Sequence, residues 1–401
     1  MLTPLPRSSP ADGASLLIAA MSGRALATSA TRAGLTPLVA DFFADADTRR
    51  IALACHKLED LKRGFVWKAL APALDTLAAT APSPPLGVVY GAGFEDRTGL
   101  LAKIAERWPL LGNGASVVER VKAPEMFFPE LARLGIPHPR TVTEPPAEKG
   151  GWLAKRQGGA GGSHVVTSHV VIRHAAAANA GGGMTGGGRL YFQEKVEGRP
   201  VSALFVSAGN RGRVLGFSEQ WATPTRRARW RYGGAAQPAE LYEGLEARLT
   251  EIVERVAPRF ELSGLGSADF LVNGDEVRLL EINPRPGATL DIFDSEAQPL
   301  LRLHLEAVVE NRLPTAPLTL PAASSAAVVY AMEPITVSKT MVWPDWTADR
   351  PNCGERIDKH RPICTVLARA ATGAEAKRLV MERISTILAA CAGQEGGAQW
   401  T

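Results

Sequence analysis

The run Glu281-Ile282-Asn283-Pro284-Arg285-Pro286-Gly287 sets two oxygen-bearing side chains two positions apart. On a strand such residues share a face, so Glu281 and Asn283 point the same way. Just upstream, Asp269-Phe270-Leu271-Val272 and Val277-Arg278-Leu279-Leu280-Glu281 alternate across a turn at Asn273-Gly274, the strongest short hairpin signal in the chain. A hairpin over 266–283 brings Asp269 beside the other two as a cross-strand neighbour. Three hard oxygen donors gathered in this way suit Mg²⁺, which keeps some waters and takes its remaining ligands from phosphates. Arg285 next door can neutralise charge on a phosphoryl group in transfer. The plain alternative makes Asp269 and Glu281 ordinary carboxylates on a half-exposed hairpin.

A second set lies upstream. Lys155 ends the strand-like Gly151-Trp152-Leu153-Ala154-Lys155 and is followed by Arg156-Gln157-Gly158-Gly159-Ala160-Gly161-Gly162-Ser163-His164. Glycine-rich backbone, here with Gly159, Gly161 and Gly162, can fold over phosphates and present its N–H groups, while a strand-borne lysine supplies a fixed cation. Flexible surface loops use the same residues, so this run counts only together with its neighbours. His164 alone is no catalyst. In Tyr191-Phe192-Gln193-Glu194-Lys195-Val196-Glu197-Gly198, an apolar strand leads into an acidic turn closed by glycine. Such a turn can hold a purine edge with its backbone and a ribose with a carboxylate.

The densest basic patch is Thr225-Arg226-Arg227-Ala228-Arg229-Trp230-Arg231-Tyr232, with four arginines in six residues. In an extended conformation Arg227, Arg229 and Arg231 share one face. Arginine forks suit carboxylates and the rings of Trp230 or Tyr232 can stack on an aromatic group, which makes Arg227 and Arg229 candidate substrate residues. The alternative is a water-exposed loop whose like charges repel.

These segments need elements to position them. Residues 15–41 read as strand, helix and strand, and a further apolar strand at 86–90 ends in the turn Gly91-Ala92-Gly93-Phe94. The first 115 residues therefore form a small open parallel sheet. Asp41 stands where a dinucleotide-binding sheet has its ribose acid, but Met21-Ser22-Gly23-Arg24 lacks GxGxxG. From Glu119 a helix runs through Leu131 and Leu134. Strands follow at 151–155, 189–194, 201–207 and 212–218, then a helix near 238–257. Beyond a proline-rich join at 314–321 come strands at 326–333 and 362–369 and a helix at about 373–391.

Composition narrows the classes. With 401 residues the chain holds two or three packed units, and a hydrophobic share of 45% with 21% charged residues is that of a globular protein. A net charge of +4 gives no global support for nucleic-acid binding. Cys55, Cys353, Cys364 and Cys391 show no CxxC pairing, against a zinc knuckle or a disulfide framework. No run reaches membrane-span length and the start lacks a secretory leader, so a cytoplasmic protein is expected. The glycine clusters at 158–162 and 181–188 read as mobile loops, with 175–188 able to close as a lid.

Lysine strand, glycine loop, QEKVEG turn, acidic strand and EINPR follow one another over residues 119–313, and in this order they resemble the ATP-grasp superfamily. The resemblance implies an α/β fold (α+β overall), an ATP-grasp fold preceded by an open parallel-sheet, Rossmann-like domain. It divides the chain at 1–115, 116–315 and 316–401, with a small lid part at 116–198, a large part at 199–315 and a C-terminal α/β segment packed on it. It implies that Lys155 and the glycine loop bind ATP phosphates, that Gln193, Glu194, Lys195, Val196 and Glu197 hold adenine and ribose, and that Asp269, Glu281 and Asn283 bind Mg²⁺, with Mn²⁺ an acceptable substitute. Arg285 and Lys155 then act in catalysis near an acyl phosphate. Pro200 stands near the turn where several relatives carry an acid, which leaves Glu197 as the ribose carboxylate.

More narrowly, SGRALA, INPRPGATLDIFD and WPDWTADRP look like the ATP-grasp proteins encoded with methanopterin- and methylofuran-linked one-carbon genes in methylotrophic bacteria. The implied activity is an ADP-forming carboxylate-amine ligase, with glutamate joined to a tyrosine- or tyramine-like amine. Its partners are the small acid and amine, with no nucleic acid and no membrane, and a homodimer is compatible with it. Two alternatives share the fold: a non-catalytic ATP-binding subunit, and a biotin-type carboxylase, for which no carrier-lysine domain is evident.

Overall fold

The computed structural model describes residues 12–147, 150–167, 189–316, 318–319 and 322–393; the expected lid at 175–188 lies outside them, as does the glycine cluster at 181–188. Near the N-terminus, four parallel strands stand in the order Ala54–Lys57, Thr36–Asp41, Ser15–Ala19, Val88–Tyr90. Both faces of this sheet are covered, which is why its strands read as unbroken apolar runs. Leu17, Ala19, Leu38 and Ala40 pack with Leu70 and Leu74 of the helix Trp67–Thr80. Leu16, Ile18 and Val39 face the other way, into a core shared with Leu204, Val206, Phe293 and Leu300. Asp41 is spent on its own turn: it is buried and accepts hydrogen bonds from the amides of Gly23 at 2.8 Å and Ala44 at 2.7 Å. It supports the local chain.

The largest sheet has eight strands in the order Glu276–Asn283, Gly264–Asn273, Arg199–Ala208, Arg211–Ala222, Tyr232–Gln237, Ala323–Tyr330, Pro362–Ala370, Thr347–Ala348. Its alternation sorts two cores. Val201, Ala203, Phe205, Ala268 and Phe270 pack under the helix Glu243–Arg259, which offers Leu245, Leu249, Ile252, Val253 and Val256 at helical spacing. Leu204 and Val206, one residue out of phase, face the N-terminal sheet. The helix expected near 238–257 runs Glu243–Arg259, and ahead of it residues 232–237 form a strand that carries the C-terminal strands into the same sheet. The helix Gly373–Gly393 covers that part with Val380 and Ile387.

A smaller antiparallel sheet, ordered Thr141–Val142, Leu190–Glu194, Trp152–Arg156, Val166–Thr167, stands over the large one. Between it and the N-terminal sheet, the helix expected from Glu119 is two helices, Ala115–Lys122 and Pro124–Arg133. Pro124 cannot continue the first helix but suits the first turn of the second. The break leaves Lys122 at the end of the first. Among the described residues no helix is long and apolar enough to cross a membrane, and the four cysteines are free.

Candidate active site

The hairpin Gly264–Asn273 and Glu276–Asn283 brings Asp269 directly opposite Glu281, and Ser267 opposite Asn283. A bulge makes this geometry. Asp269 pairs with Glu281 while Phe270 pairs with Leu279, so Leu280 is extra. Val277, Leu279 and Ile282 all enter the core beneath the helix Glu243–Arg259, although the last is out of phase with the others. Strict alternation from Leu279 would have sent Glu281 into that core; the extra residue turns Glu281 and Asn283 to the opposite face.

On that face the side chains form one network. Asn283 Nδ2 donates to Asp269 Oδ2 at 3.0 Å, and Ser202 Oγ donates to Asp269 Oδ1 at 2.6 Å. Lys122 Nζ donates to Asn283 Oδ1 at 2.8 Å and to Glu281 Oε2 at 3.1 Å. Two oxygens from the metal-type set thus already converge on one positive centre. Burial and the neighbouring Glu281 charge push the Asp269 carboxyl above its ordinary range. Burial would raise Glu281 too, but Lys122 and Lys155 outweigh it and hold that carboxyl low. Among the described residues no group of three or more His, Cys, Asp or Glu gathers as a metal site. The candidate set is two carboxylates and an amide oxygen, the hard donors that Mg²⁺ accepts.

Lys155 lies on the lid strand Trp152–Arg156, opposite Tyr191, and its Nζ donates to Gln193 Oε1 at 2.6 Å. Burial lowers its proton affinity, and Lys122 adds to the effect against the pull of Glu281. Gln193 is therefore a buried anchor for Lys155, itself tied to Thr141. Glu194, Lys195 and Glu197 are exposed, Val196 is half-buried, and Lys195 Nζ reaches Glu197 Oε1 at 2.9 Å. The backbone amides of Glu194 and Lys195 bond to the carbonyls of Arg140 and Gly151.

The glycine loop after Lys155 is docked at both ends, contrary to its reading as a free mobile segment. Gly158 has φ +69°, and a Cβ there would come within 2.5 Å of the Glu95 carbonyl oxygen and the Asp96 amide nitrogen. Gly162, with φ +71°, crosses the Trp230 carbonyl so closely that a Cβ would overlap it. Tyr232 N donates to Gly161 O at 3.0 Å. Only glycine permits both the left-handed backbone and these approaches. Gly159 lies against the His164 ring.

Arg285 is buried, and its Nε donates to Glu95 Oε1 at 2.7 Å. Glu95 also accepts the amides of Gly93 at 2.8 Å and Phe94 at 3.0 Å through Oε2. Burial alone would raise its carboxyl; Arg285, with Lys122 behind it, holds it low instead. Neither Lys122 nor Glu95 stands out in the sequence. The one signal for Glu95 was its place just after the glycine turn at 91–93.

The basic patch does not take the expected extended form. Residues 223–231 make the loop between two paired strands, with a turn in which Thr225 N donates to Ala228 O. Arg227 and Arg229 are exposed, whereas Arg231 folds back over the Tyr330 ring, 3.6 Å from its centre, and bonds to His360 O. The three arginines therefore share no face. On the other side of the N-terminal sheet's first turn, the three motifs SGRALA, INPRPGATLDIFD and WPDWTADRP meet. Arg24 Nη2 donates to Asp291 Oδ2 at 2.7 Å and to Asp349 Oδ2 at 2.9 Å.

Comparison with known proteins agrees with this architecture. A sequence model of the ATP-grasp domain family matches residues 126–289. The carbamoyl phosphate synthase large chain of Rubrobacter xylanophilus is 25% identical over 249 residues, 57% of this chain and 23% of that protein, so the chain spans about a quarter of that relative's length. N5-carboxyaminoimidazole synthetase from Staphylococcus aureus, solved with ADP, superposes with a TM-score of 0.65 at 14% identity, over 93% of this chain and 97% of that one. The biotin carboxylase domain of Hydrogenobacter thermophilus 2-oxoglutarate carboxylase gives a TM-score of 0.69 at 13% identity, over 91% and 88%. With an eight-stranded sheet facing a smaller lid sheet across Lys155 and the Asp269–Glu281 hairpin, the chain has the ATP-grasp fold.

Proposed function

We propose that this chain is an ATP- and Mg²⁺-dependent ligase that activates a carboxylate as an acyl phosphate and joins it to an amine. The observation that carries the reading is the meeting of Lys122, Lys155, Asp269, Glu281 and Asn283 on one face, beneath the docked glycine loop. Neighbours of the same fold were solved with ADP and with MgADP, which supports the nucleotide and the metal.

In this reading the purine lies against the turn Gln193–Glu197, with the peptide at Val196 at its edge and the Glu197 carboxylate toward the ribose. Lys155, Lys122 and the loop amides hold the phosphates. Asp269, Glu281 and Asn283 would hold Mg²⁺, which supplies charge neutralisation on the phosphate oxygens when bound. The acid's carboxylate oxygen attacks the terminal phosphorus, the bond to the bridging oxygen breaks and ADP leaves. The amine nitrogen then attacks the acyl carbon, phosphate departs with the bonding pair, and the nitrogen gives its proton to solvent. No nucleophilic side chain is needed; positioning and charge neutralisation do the chemistry. Arg285, fixed by Glu95, faces the acyl phosphate.

The acid is an amino acid such as glutamate, recognised by Arg227 and Arg229, whose guanidinium groups stand exposed on the loop that touches the glycine loop. The amine is tyrosine- or tyramine-like, and the product serves one-carbon cofactor synthesis of the methylofuran or methanopterin kind. Support for this pair is the motif resemblance together with the exposure of the two arginines. Replacing Arg227 and Arg229 singly by alanine tests it: KM for the acid should rise several-fold while KM for ATP stays constant. Two unchanged Michaelis constants would remove the arginines from the acid site.

A further inference from the structure

His164 ends the glycine loop, and the reaction above leaves its ring unused. Its Nδ1 is enclosed and has no hydrogen-bond partner among the described residues. A buried ring nitrogen without a partner costs stability and calls for an explanation. The ring sits where Gly159 leaves room, since a Cβ on that glycine would overlap the imidazole.

The surroundings point to the missing partner. Burial lowers the imidazole's proton affinity to about 4; Glu281 and a backbone hydrogen bond to Ala160 act against this, while Lys155 and Lys122 add to it. The three charged groups come from the large sheet, the lid sheet and the helix Ala115–Lys122, so the ring lies where those elements meet. Lys155 and Lys122 face that space from two different elements, with Glu281 and, opposite it on the hairpin, Asp269 as their counter-charges, and two fixed cations are what a phosphoryl anion needs. The loop that carries the ring is held on both sides, by residues 95–96 at Gly158 and by Trp230 at Gly162, and Val165 N donates to Gly162 O at 3.3 Å. A ring so mounted is placed before ligand arrives.

We propose that His164 is a ligand of the distal phosphates of ATP, donating from its ring nitrogen to a phosphoryl oxygen beside those held by Lys155 and Lys122. The inference rests on the ATP-site reading and adds to it a side chain on a loop otherwise taken to work through its backbone. An oxygen of a polyphosphate accepts from imidazole as readily as from a backbone amide. The adenosine and α-phosphate end of the nucleotide would not feel the ring.

The experiment is calorimetric titration of wild type, His164→Ala and His164→Gln with AMP, ADP and a non-hydrolysable ATP analogue, each with Mg²⁺. The alanine variant should bind the ATP analogue about tenfold more weakly, equal to about 1.4 kcal/mol. Its affinity for AMP should stay within about twofold of wild type, which also shows that the loop still folds, and glutamine should restore part of the loss. Unchanged binding of the ATP analogue would overturn the proposal, as would an equal loss for AMP, which would mark a packing role. A wild type that binds AMP and ADP but gains nothing from the third phosphate would also overturn it. If wild type binds none of the three, the ATP-site reading itself falls, and this inference with it.

Discussion

Lys122 Nζ donates to Asn283 Oδ1 at 2.8 Å across 161 residues of sequence, joining the end of one helix to the end of the hairpin. The same ammonium reaches Glu281 Oε2 at 3.1 Å and is almost fully buried. A lysine held there serves the phosphates only if its charge is matched, and Glu281 matches it. Lys122→Met should therefore weaken binding of an ATP analogue by roughly 1.5–3 kcal/mol, about the value of a charge-assisted contact. Lys155→Met should do the same. Titration calorimetry decides both, and an unchanged dissociation constant in either variant removes that lysine from the phosphate site.

Glu281→Gln and Asn283→Ala should each abolish turnover while the fold survives. The two side chains serve the site face, and the core beneath them is made by Leu279 and Ile282. Glu281→Gln takes the counter-charge from the buried Lys122 and so costs some stability, but the apolar core is untouched and both variants should still unfold in one cooperative transition. Full activity at ordinary Mg²⁺ in either variant would end the metal assignment.

The hairpin and its three oxygen-bearing residues were legible because alternation and a turn signal are local. The bulge was not. Val277, Leu279 and Glu281 look alike in phase, and only the core's demand for Ile282 resets it. Lys122 and Glu95 escaped for another reason: their roles come from tertiary contacts 159 and 190 residues away, with no pattern in their own neighbourhood. The strand Tyr232–Gln237 was missed because Gly233, Gly234, Ala235 and Ala236 carry no strand propensity. Small residues are required there by the Trp221 ring, which lies against both glycines. The extended reading of the arginine patch failed since that strand turns 223–231 into a hairpin loop.

Arg285 depends on Glu95 for its position, with side-chain exposures of 9% and 1%. Glu95→Gln leaves a buried guanidinium without its counter-charge, at a cost of about 3–5 kcal/mol in stability. Turnover should fall by at least about tenfold while the affinity for an ATP analogue changes little, since a loss confined to the transition state lowers kcat. Denaturant unfolding and steady-state kinetics on the same preparation test this. An equal loss of ATP affinity would show that Glu95 supports the nucleotide site as a whole.

Asp45 caps the helix Ala46–Ile51 through the amides of Asp47 and Thr48. Burial, then the charge of Asp349, pushes its carboxyl up to about 6. A folded-state value above the unfolded one means that its contribution is fully present below about pH 4 and is lost as pH rises through about 6. Asp45→Asn keeps the cap and removes the titration. The variant should gain on wild type by an amount on the order of 2 kcal/mol between pH 4 and pH 7. Parallel pH profiles of unfolding free energy for the two proteins would contradict the buried-carboxyl account.

The central claim is that one site uses ATP to couple an acid to an amine, and ADP release measured together with product mass tests it most directly. Purified protein with ATP and Mg²⁺ is offered amino acids and aromatic amines singly and in pairs. The account predicts ADP only when a matching acid and amine are both present, with one new amide per ADP and neither product in Glu281→Gln. ADP formation that needs no acid, or tight ATP binding with no new carbon–nitrogen bond across the acid and amine panel, would contradict it.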